Sequence, residues 1–393
     1  MNLLRSLNEY GQVVWLDFLS LRFIADGSLK RLIVEDGLAG ATSNPSIFEK
    51  AIVNSRDYDT ALDAAAWTGG LDERALFERI AVEDIQNAAD VLRPVYEATR
   101  HRDGYISIEV SPDLAMRTDA TVEEARRLWR SVGRDNLMIK VPATTPGLAA
   151  IRELTGEGIN VNITLLFSQQ VYEGVVEAYL GGLEDLVVRG GDPGKVASVA
   201  SFFVSRIDTA VDKLIDARLG QTVDDAERRA LASIRGKVAI AKAKLAYRRY
   251  KRLFAGPRWE ALRAKGAHTQ RLLWASTGTK NPQYSDVLYV EELIGPDTIN
   301  TMPLATMDAF SDHGKLRASL EEDLEGARQV MATLGRLGIS IDEVTAKVLD
   351  DGIRVFADAM DKVLSTIATK RASAAVSGTA AAPLPQEAVS VRR

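Results

Sequence analysis

Eight short runs rich in apolar and β-branched residues recur along the chain, and stretches with helical periodicity separate most of them. In stretches such as 72–98 and 121–132, apolar residues return every three or four positions among charged ones, which is typical of amphipathic helices. The run Leu137-Met138-Ile139 is apolar at every position, as expected where both faces of a parallel sheet are buried. Eight alternating units predict an α/β fold, a (β/α)8 TIM barrel. The predicted strands are 13–18, 38–42, 105–110, 137–141, 159–165, 196–204, 272–275 and 298–302.

Two regions depart from a minimal barrel. Residues 209–268 carry no strand pattern and predict a helical insertion within a single catalytic domain, 1–369. We interpret the basic stretch 237–252 as a solvated helix face; contact with nucleic acid is the alternative. From 370 to 393, Ala, Ser, Gly and Pro dominate without an apolar period, which predicts a disordered low-complexity tail that the barrel does not need.

Composition narrows the possible chemistry. None of the 393 residues is cysteine, which excludes disulfides, thiolate metal sites and cysteine nucleophiles. A net charge of −5 provides no basic field for nucleic acid or an anionic membrane. Charged residues interrupt the first 17 positions, where a signal peptide would be apolar, and no run approaches a membrane span. We therefore expect a soluble, cytoplasmic protein without nucleic-acid or membrane partners.

The three histidines restrict the chemistry further. His101, His268 and His313 lie in polar, loop-like segments and none has another at the i, i+4 spacing of a helical metal site. None follows a nucleophile elbow, so a Ser-His-Asp triad is not supported. No G-x-G-x-x-G follows a predicted strand, so a dinucleotide site is not supported either. We expect neither a metal nor an organic cofactor.

One lysine stands inside an apolar strand. Lys140 occurs in Leu137-Met-Ile-Lys-Val-Pro142. Burial of an ammonium is costly and favours the neutral amine, which is the form that a Schiff-base nucleophile needs. The alternative is a lysine whose stem follows the apolar wall while its head reaches the rim or a carboxylate. The position of Lys140 alone leaves both interpretations open.

Polar residues interrupt other predicted strands at comparable points. Asp17, Glu109, Asn162 and Thr164 each stand in an otherwise apolar run. Inward-facing residues alternate along a barrel strand, so Asn162 and Thr164 share a face, and the carboxyl ends of the strands form the active-site mouth. A lysine nucleophile with a carboxylate for proton transfer is the minimum set for breaking a carbon-carbon bond through an imine. These residues favour a catalytic Lys140, although each carboxylate alone could be a salt-bridge partner.

Two later segments are candidate anion sites. They are Ser201-Phe-Phe-Val-Ser-Arg206 after the sixth run and Ser276-Thr-Gly-Thr-Lys280 after the seventh. Loops at this end of a barrel bind phosphate through backbone N–H groups, hydroxyls and a cation. The second segment lacks the first glycine of a P-loop, and a plain turn remains the alternative. Asn44-Pro45-Ser46 is consistent with a turn or a helix start.

Taken in order, these motifs resemble the transaldolase family, in its longer-chain bacterial type, from the first residue to about residue 368. The matching segments are Trp15-Leu-Asp17, Thr42-Ser-Asn-Pro-Ser46, Ile108-Glu-Val-Ser111, Met138-Ile-Lys-Val-Pro-Ala143, Asn162-Ile-Thr-Leu-Leu-Phe-Ser168, Ser201-Phe-Phe-Val-Ser-Arg206 and Trp274-Ala-Ser276. The resemblance implies a cofactor-free class I enzyme of the non-oxidative pentose phosphate pathway. Such an enzyme moves a dihydroxyacetone unit from sedoheptulose 7-phosphate to glyceraldehyde 3-phosphate, giving erythrose 4-phosphate and fructose 6-phosphate.

The resemblance also implies roles for individual residues. Lys140 would form the Schiff base and Asp17 would transfer the proton. Glu109 and Thr164 would hold the catalytic water. Asn44, Asn162 and Ser201 would bind substrate hydroxyls, and Arg206 and Ser276 would bind the phosphate.

The chain departs from the family pattern at Gly278, where much of the family has an arginine, and Lys280 is the nearest cation. Phe203 stands where the related aldolase branch tends to have a tyrosine, which favours transfer over simple cleavage. Two other functions remain open, a fructose 6-phosphate aldolase-like enzyme and a non-catalytic barrel that binds sugar phosphates. The oligomeric state, monomer or homodimer, also remains open.

Overall fold

The computed structural model describes residues 2–60, 62 and 71–378, and its centre is a closed barrel of parallel strands in chain order, each paired with the next and the last with the first. This confirms the predicted α/β TIM barrel. Every residue of the last five strands is buried, as a parallel sheet covered on both faces requires. The strands are β1 Gln12–Leu16, β2 Gly40–Thr42, β3 Tyr105–Glu109, β4 Leu137–Pro142, β5 Val161–Leu166, β6 Ser198–Phe203, β7 Arg271–Ala275 and β8 Thr298–Met302.

Helices surround this barrel, and side-chain caps mark where several of them begin at the carboxyl ends of strands. The side-chain oxygens of Asn44, Thr144 and Ser168 accept hydrogen bonds from Ile47 N at 3.0 Å, Gly147 N at 3.0 Å and Val171 N at 3.4 Å, respectively. The α-helices are α1 Leu3–Ser6, α2 Leu21–Ala25, α3 Ser28–Arg31, α4 Pro45–Val53, α5 Glu73–Ala98, α6 Thr118–Val132, α7 Thr145–Gly156, α8 Gln169–Val188, α9 Ser205–Leu219, α10 Asp225–Ile234, α11 Val238–Leu253, α12 Pro257–Arg263, α13 Leu288–Glu291, α14 Leu304–His313, α15 Leu324–Arg336 and α16 Ile341–Gly378. Within the described residues, no helix is long and apolar enough to cross a membrane.

Helices α9 to α12 occupy the region predicted as a helical insertion, between β6 and β7. The interpretation of its basic stretch as a solvated face is wrong for two lysines, because α11 packs against both α8 and α15. Lys242 is 3% exposed and donates a hydrogen bond to the Phe167 carbonyl, and Lys244 is 5% exposed and lies 3.4 Å from Glu292. Their long apolar stems allow both lysines to be part of a packed helix face.

The predicted start of the tail at Lys370 is also wrong, because α16 continues through Gly378. Lys370 Nζ lies 2.7 Å from Asp59 Oδ1, and Arg371 Nη1 lies 3.0 Å from Glu73 Oε1. An alanine-rich segment without a strong apolar period therefore extends a helix whose earlier residues are packed, and its basic side chains attach it to neighbouring elements. The rest of the predicted tail, 379–393, lies outside the described residues.

Candidate active site

A cavity opens at the carboxyl ends of the strands, where β/α loops meet in this fold. It brings together eight of the residues singled out from the sequence and four others. The predicted residues are Asp17, Asn44, Lys140, Thr164, Ser201, Phe203, Arg206 and, on the loop after β7, Ser276; Thr42, Ala275, Thr301 and Phe356 complete the wall.

Lys140 points into this cavity from β4. It is 4% exposed, and its Nζ lies 3.2 Å from Glu109 Oε2 and donates a hydrogen bond to the Ser43 carbonyl at 3.0 Å. Glu109, Lys140 and Asn162 are register partners on β3, β4 and β5, so the three polar side chains belong to one level of the barrel. The amine is therefore held beside a carboxylate at the mouth of the barrel.

Asp17 follows β1, and its backbone N–H donates to the Met302 carbonyl at 2.8 Å. Its carboxylate accepts a hydrogen bond from Thr42 Oγ1 at 2.9 Å, and Thr42 Oγ1 lies 3.0 Å from Thr301 Oγ1. Burial raises the pKa of Asp17, against the smaller lowering effect of the Lys140 ammonium. Asp17 can therefore hold a proton at a higher pH than an exposed aspartate.

Glu109 has a similar environment. Its side chain is 3% exposed, and burial raises its pKa against the opposing charge of Lys140. Thr164 is fully buried in β5, and its Oγ1 has no hydrogen-bond partner among the described residues. A buried hydroxyl usually has a partner, so Thr164 Oγ1 is a polar group available to a small polar molecule in the cavity.

The predicted hydroxyl-binding residues occupy two levels. Asn162 is fully buried and does not line the cavity; its Nδ2 donates to Ser107 Oγ at 3.0 Å and its Oδ1 accepts from Ser201 Oγ at 2.6 Å. Ser201 lines the cavity above it. Asn44 also lines the cavity, but its Oδ1 caps α4, so its Nδ2 is the atom left to contact a ligand.

Arg206 lies in the first turn of α9 at the other side of the cavity. Its Cζ lies 5.1 Å from the centroid of the Phe203 ring and 5.6 Å from that of Phe356. Burial lowers its pKa, but a guanidinium remains charged under all ordinary conditions. Ser276 Oγ lies 3.0 Å from Ser205 Oγ, and Ser205 directly precedes Arg206 in the sequence. A cation and two hydroxyls together make this side suited to an anion.

Lys280 is exposed and is not part of the cavity wall. Its Nζ is nevertheless close to Gly278, since a Cβ placed on that glycine would lie 4.0 Å from it. The ammonium therefore lies near the point where an arginine side chain at 278 would begin.

Three polar or aromatic wall residues were missed by the sequence reasoning. Thr42 and Thr301 stand at the ends of β2 and β8, and the argument that identified Asp17 would have applied to them. Phe356 comes from α16, far along the chain, and no local pattern indicates that it reaches the barrel mouth.

The chain is similar to known proteins over most of its length. A family model described as transaldolase/fructose-6-phosphate aldolase matches residues 14–367. The chain is 48% identical over 373 residues to Transaldolase 2 of Nostoc sp. (strain PCC 7120), covering 94% of this chain and 98% of that protein. It is 44% identical over 367 residues to a transaldolase of Thiobacillus denitrificans, covering 93% of this chain and 100% of that protein.

Proposed function

The chain belongs to the transaldolase/fructose-6-phosphate aldolase family, and on that premise we propose that the cavity at the barrel mouth is its active site, with Lys140 as the Schiff-base nucleophile. The enzyme is a transaldolase, a transferase that moves a dihydroxyacetone unit from sedoheptulose 7-phosphate to glyceraldehyde 3-phosphate. Its products are erythrose 4-phosphate and fructose 6-phosphate. The observation that carries the assignment of Lys140 is a buried amine that lines this cavity and lies 3.2 Å from the buried carboxylate of Glu109.

In the proposed reaction, Lys140 Nζ adds to the keto carbon of the donor and the resulting carbinolamine loses water to form an imine. The C3–C4 bond then breaks, its electrons pass into the imine, and the proton of the C4 hydroxyl goes to Asp17. Erythrose 4-phosphate leaves, and the bound three-carbon enamine adds to the aldehyde carbon of glyceraldehyde 3-phosphate. Asp17 returns its proton to the new alkoxide, and water hydrolyses the imine to release fructose 6-phosphate.

We assign the water steps to Glu109 and Thr164. Glu109 lies against Lys140 Nζ, where the carbinolamine hydroxyl leaves as water, and its raised pKa supports a proton donor. Thr164 Oγ1, which has no hydrogen bond from the described residues, is available to orient that water.

The substrate hydroxyls are assigned to Asn44 Nδ2 and Ser201, with Asn162 orienting Ser201 from below. The phosphate group is assigned to Arg206 and Ser276, with Lys280 supplying the cation that Gly278 cannot. We also propose a cytoplasmic location, because phosphorylated sugars are charged metabolites that do not cross membranes freely.

Product analysis tests the proposed function against simple aldol cleavage. Fructose 6-phosphate with erythrose 4-phosphate as acceptor should give sedoheptulose 7-phosphate and glyceraldehyde 3-phosphate. Without an acceptor, release of glyceraldehyde 3-phosphate should stop after about one equivalent per active site, because the three-carbon unit remains on the enzyme. Continuous release of free dihydroxyacetone at a comparable rate would instead identify an aldolase.

A further inference from the structure

We propose that Phe356 and Gly352 of the final helix are positioning residues for Arg206, holding its guanidinium at the cavity while leaving its N–H groups free for the substrate phosphate. This inference rests on the phosphate role of Arg206 in the proposed function. It assigns a role to α16, a helix that lies outside the strand and loop motifs identified from the sequence.

The guanidinium of Arg206 has no conventional partner. Among residues 2–60, 62 and 71–378, it makes no hydrogen bond and no ion pair, although it is largely withdrawn from solvent. Its close contacts are the rings of Phe203 and Phe356. A cation is attracted to an aromatic face without using its N–H donors, so the rings can hold the group and leave its donors available.

Arg271, the buried arginine at the amino end of the barrel, shows the opposite arrangement. Its Nη2 lies 2.8 Å from Asp103 Oδ1 and donates to the Arg102 carbonyl at 2.6 Å. Those donors are already committed within the protein. An arginine that must bind an incoming phosphate cannot be held in that way, because a carboxylate would compete with the phosphate for the same N–H groups.

Gly352 makes the close approach of α16 possible. A Cβ on this glycine would lie 2.8 Å from Leu165 Cδ2 and 3.1 Å from Arg206 Nη1. Gly352 and Phe356 are four residues apart and therefore share one face of the helix. On that face, Gly352 lies against the edge of the guanidinium, and the ring of Phe356 lies near the guanidinium one helical turn further along α16.

The position of α16 is itself held by contacts with other elements. Lys362 forms an ion pair with Glu49 of α4, and Lys370 lies 2.7 Å from Asp59. Phe356 is 2% exposed, so its ring is packed rather than free to rotate into solvent. The helix can therefore act as a fixed wall for Arg206.

The test is Phe356→Leu, which keeps an apolar side chain but removes the ring. We expect the KM for fructose 6-phosphate and the inhibition constant of inorganic phosphate to rise roughly tenfold, given the usual strength of a desolvated cation–π contact. The kcat should change less than about twofold, because the lost contact stabilises the bound substrate and the transition state equally. The KM for dihydroxyacetone should also change less than about twofold, because this substrate has no phosphate. Phe356→Tyr, which keeps the ring, should behave like the wild type.

Phe254→Leu is the matched control, since Phe254 is 9% exposed, packs on Tyr250 and Trp259, and does not line the cavity. It should leave both KM values unchanged. If thermal denaturation shows that Phe356→Leu is not folded, Gly352→Ala is the variant that tests the inference. We expect the same selective rise in the KM for fructose 6-phosphate. Unchanged constants, or equal rises for phosphorylated and unphosphorylated substrates, would overturn the inference. If Arg206→Ala itself shows no selective effect, the phosphate assignment in the proposed function fails instead.

Discussion

Two carboxylates lie close to Lys140: Asp17 lines the cavity, and Glu109 lies beside the lysine outside the cavity wall, where burial opposes the ionisation of both. Burial raises the pKa values of both Asp17 and Glu109, and Lys140 and Arg206 partly offset that effect. Carboxyl groups of this kind exchange protons nearer to neutral pH than exposed ones, which is what proton transfer at a sugar hydroxyl requires.

We predict that Asp17→Asn retains substrate binding but loses turnover. The amide can still accept the hydrogen bond from Thr42, whereas it cannot take the proton of the C4 hydroxyl. The kcat should fall by roughly 10²–10⁴-fold, with KM changed only a few-fold, in steady-state assays with both natural substrates. An unchanged kcat with a raised KM would make Asp17 a binding residue.

The pH dependence of kcat/KM in the wild type gives a second test of the role of Asp17 as a general base. A general base must be ionised, so kcat/KM should fall as the pH decreases through the pKa of Asp17. Because burial raises that pKa, the acidic limb should lie above the ordinary value of 3.8. An acidic limb at or below that value would contradict the role given to Asp17.

Lys280 is the residue whose role depends most on this chain's departure from its family. We predict that Lys280→Ala raises the KM for phosphorylated sugars far more than the KM for dihydroxyacetone, because a remote phosphate contact acts through binding. Equal effects on both substrates, or none, would leave Arg206 as the side-chain cation of the site. Lys265→Ala, another exposed lysine away from the cavity, is the control.

Residues differ in how far the sequence could identify them. Lys140 and Asp17 were recognisable because a charge inside an apolar run has few explanations, and the structure places both in one cavity. Phe356 could not be recognised, since an aromatic residue on a helix is ordinarily part of a core, and only the path of α16 brings it to Arg206.

Between elements, a buried carboxylate joins two helices of the insertion, α9 and α11, to α13. Asp208 of α9 is 1% exposed, and it accepts hydrogen bonds from Ala239 N at 2.7 Å and from the Tyr289 hydroxyl at 2.9 Å. Burial raises its pKa to about 7, and the neighbouring Asp212 adds to the effect. Helical periodicity predicted these helices. The contact between α9 and α11 could not be predicted in the same way, because it joins residues that are far apart in sequence.

We predict that Asp208 makes stability depend on pH. Its folded pKa of about 7 exceeds the ordinary 3.8, so its contribution is fully present below pH 3.8 and is lost as the pH rises through 7. Asp208→Asn keeps the shape and does not titrate. The Tm of the wild type relative to this variant should therefore fall between pH 5 and pH 8, measured by thermal denaturation at matched ionic strength. A difference that stays constant or grows over that range would contradict the raised pKa.

At the scale of the whole molecule, the two ends of the barrel use buried cations differently. At the amino end, Arg271 is paired with Asp103, an arrangement that serves stability. At the carboxyl end, Arg206 has no such partner among the described residues, and Lys140 lies beside Glu109 in an open cavity. The difference follows the rule that barrels place reactive groups at the carboxyl ends of their strands.

The overall topology was predictable because eight β/α units in sequence leave few ways to bury both faces of a parallel sheet. The buried lysines of α11 and the continuation of α16 past Lys370 were not, because both depend on packing between elements that lie far apart in sequence. Composition alone describes such segments as solvated or disordered.

We expect Lys140 to be the amine that carries the substrate, and borohydride reduction of the bound intermediate identifies that amine. The enzyme is treated with fructose 6-phosphate and sodium borohydride, digested and mapped by mass spectrometry. Lys242 is the informative rival, since it is also buried and its pKa is lowered to about 7 by desolvation. We predict a reduced three-carbon adduct on Lys140, loss of activity in proportion to labelling, and no adduct or turnover in Lys140→Ala. An adduct on Lys242 or another lysine, or near-normal transfer by Lys140→Ala, would contradict the account.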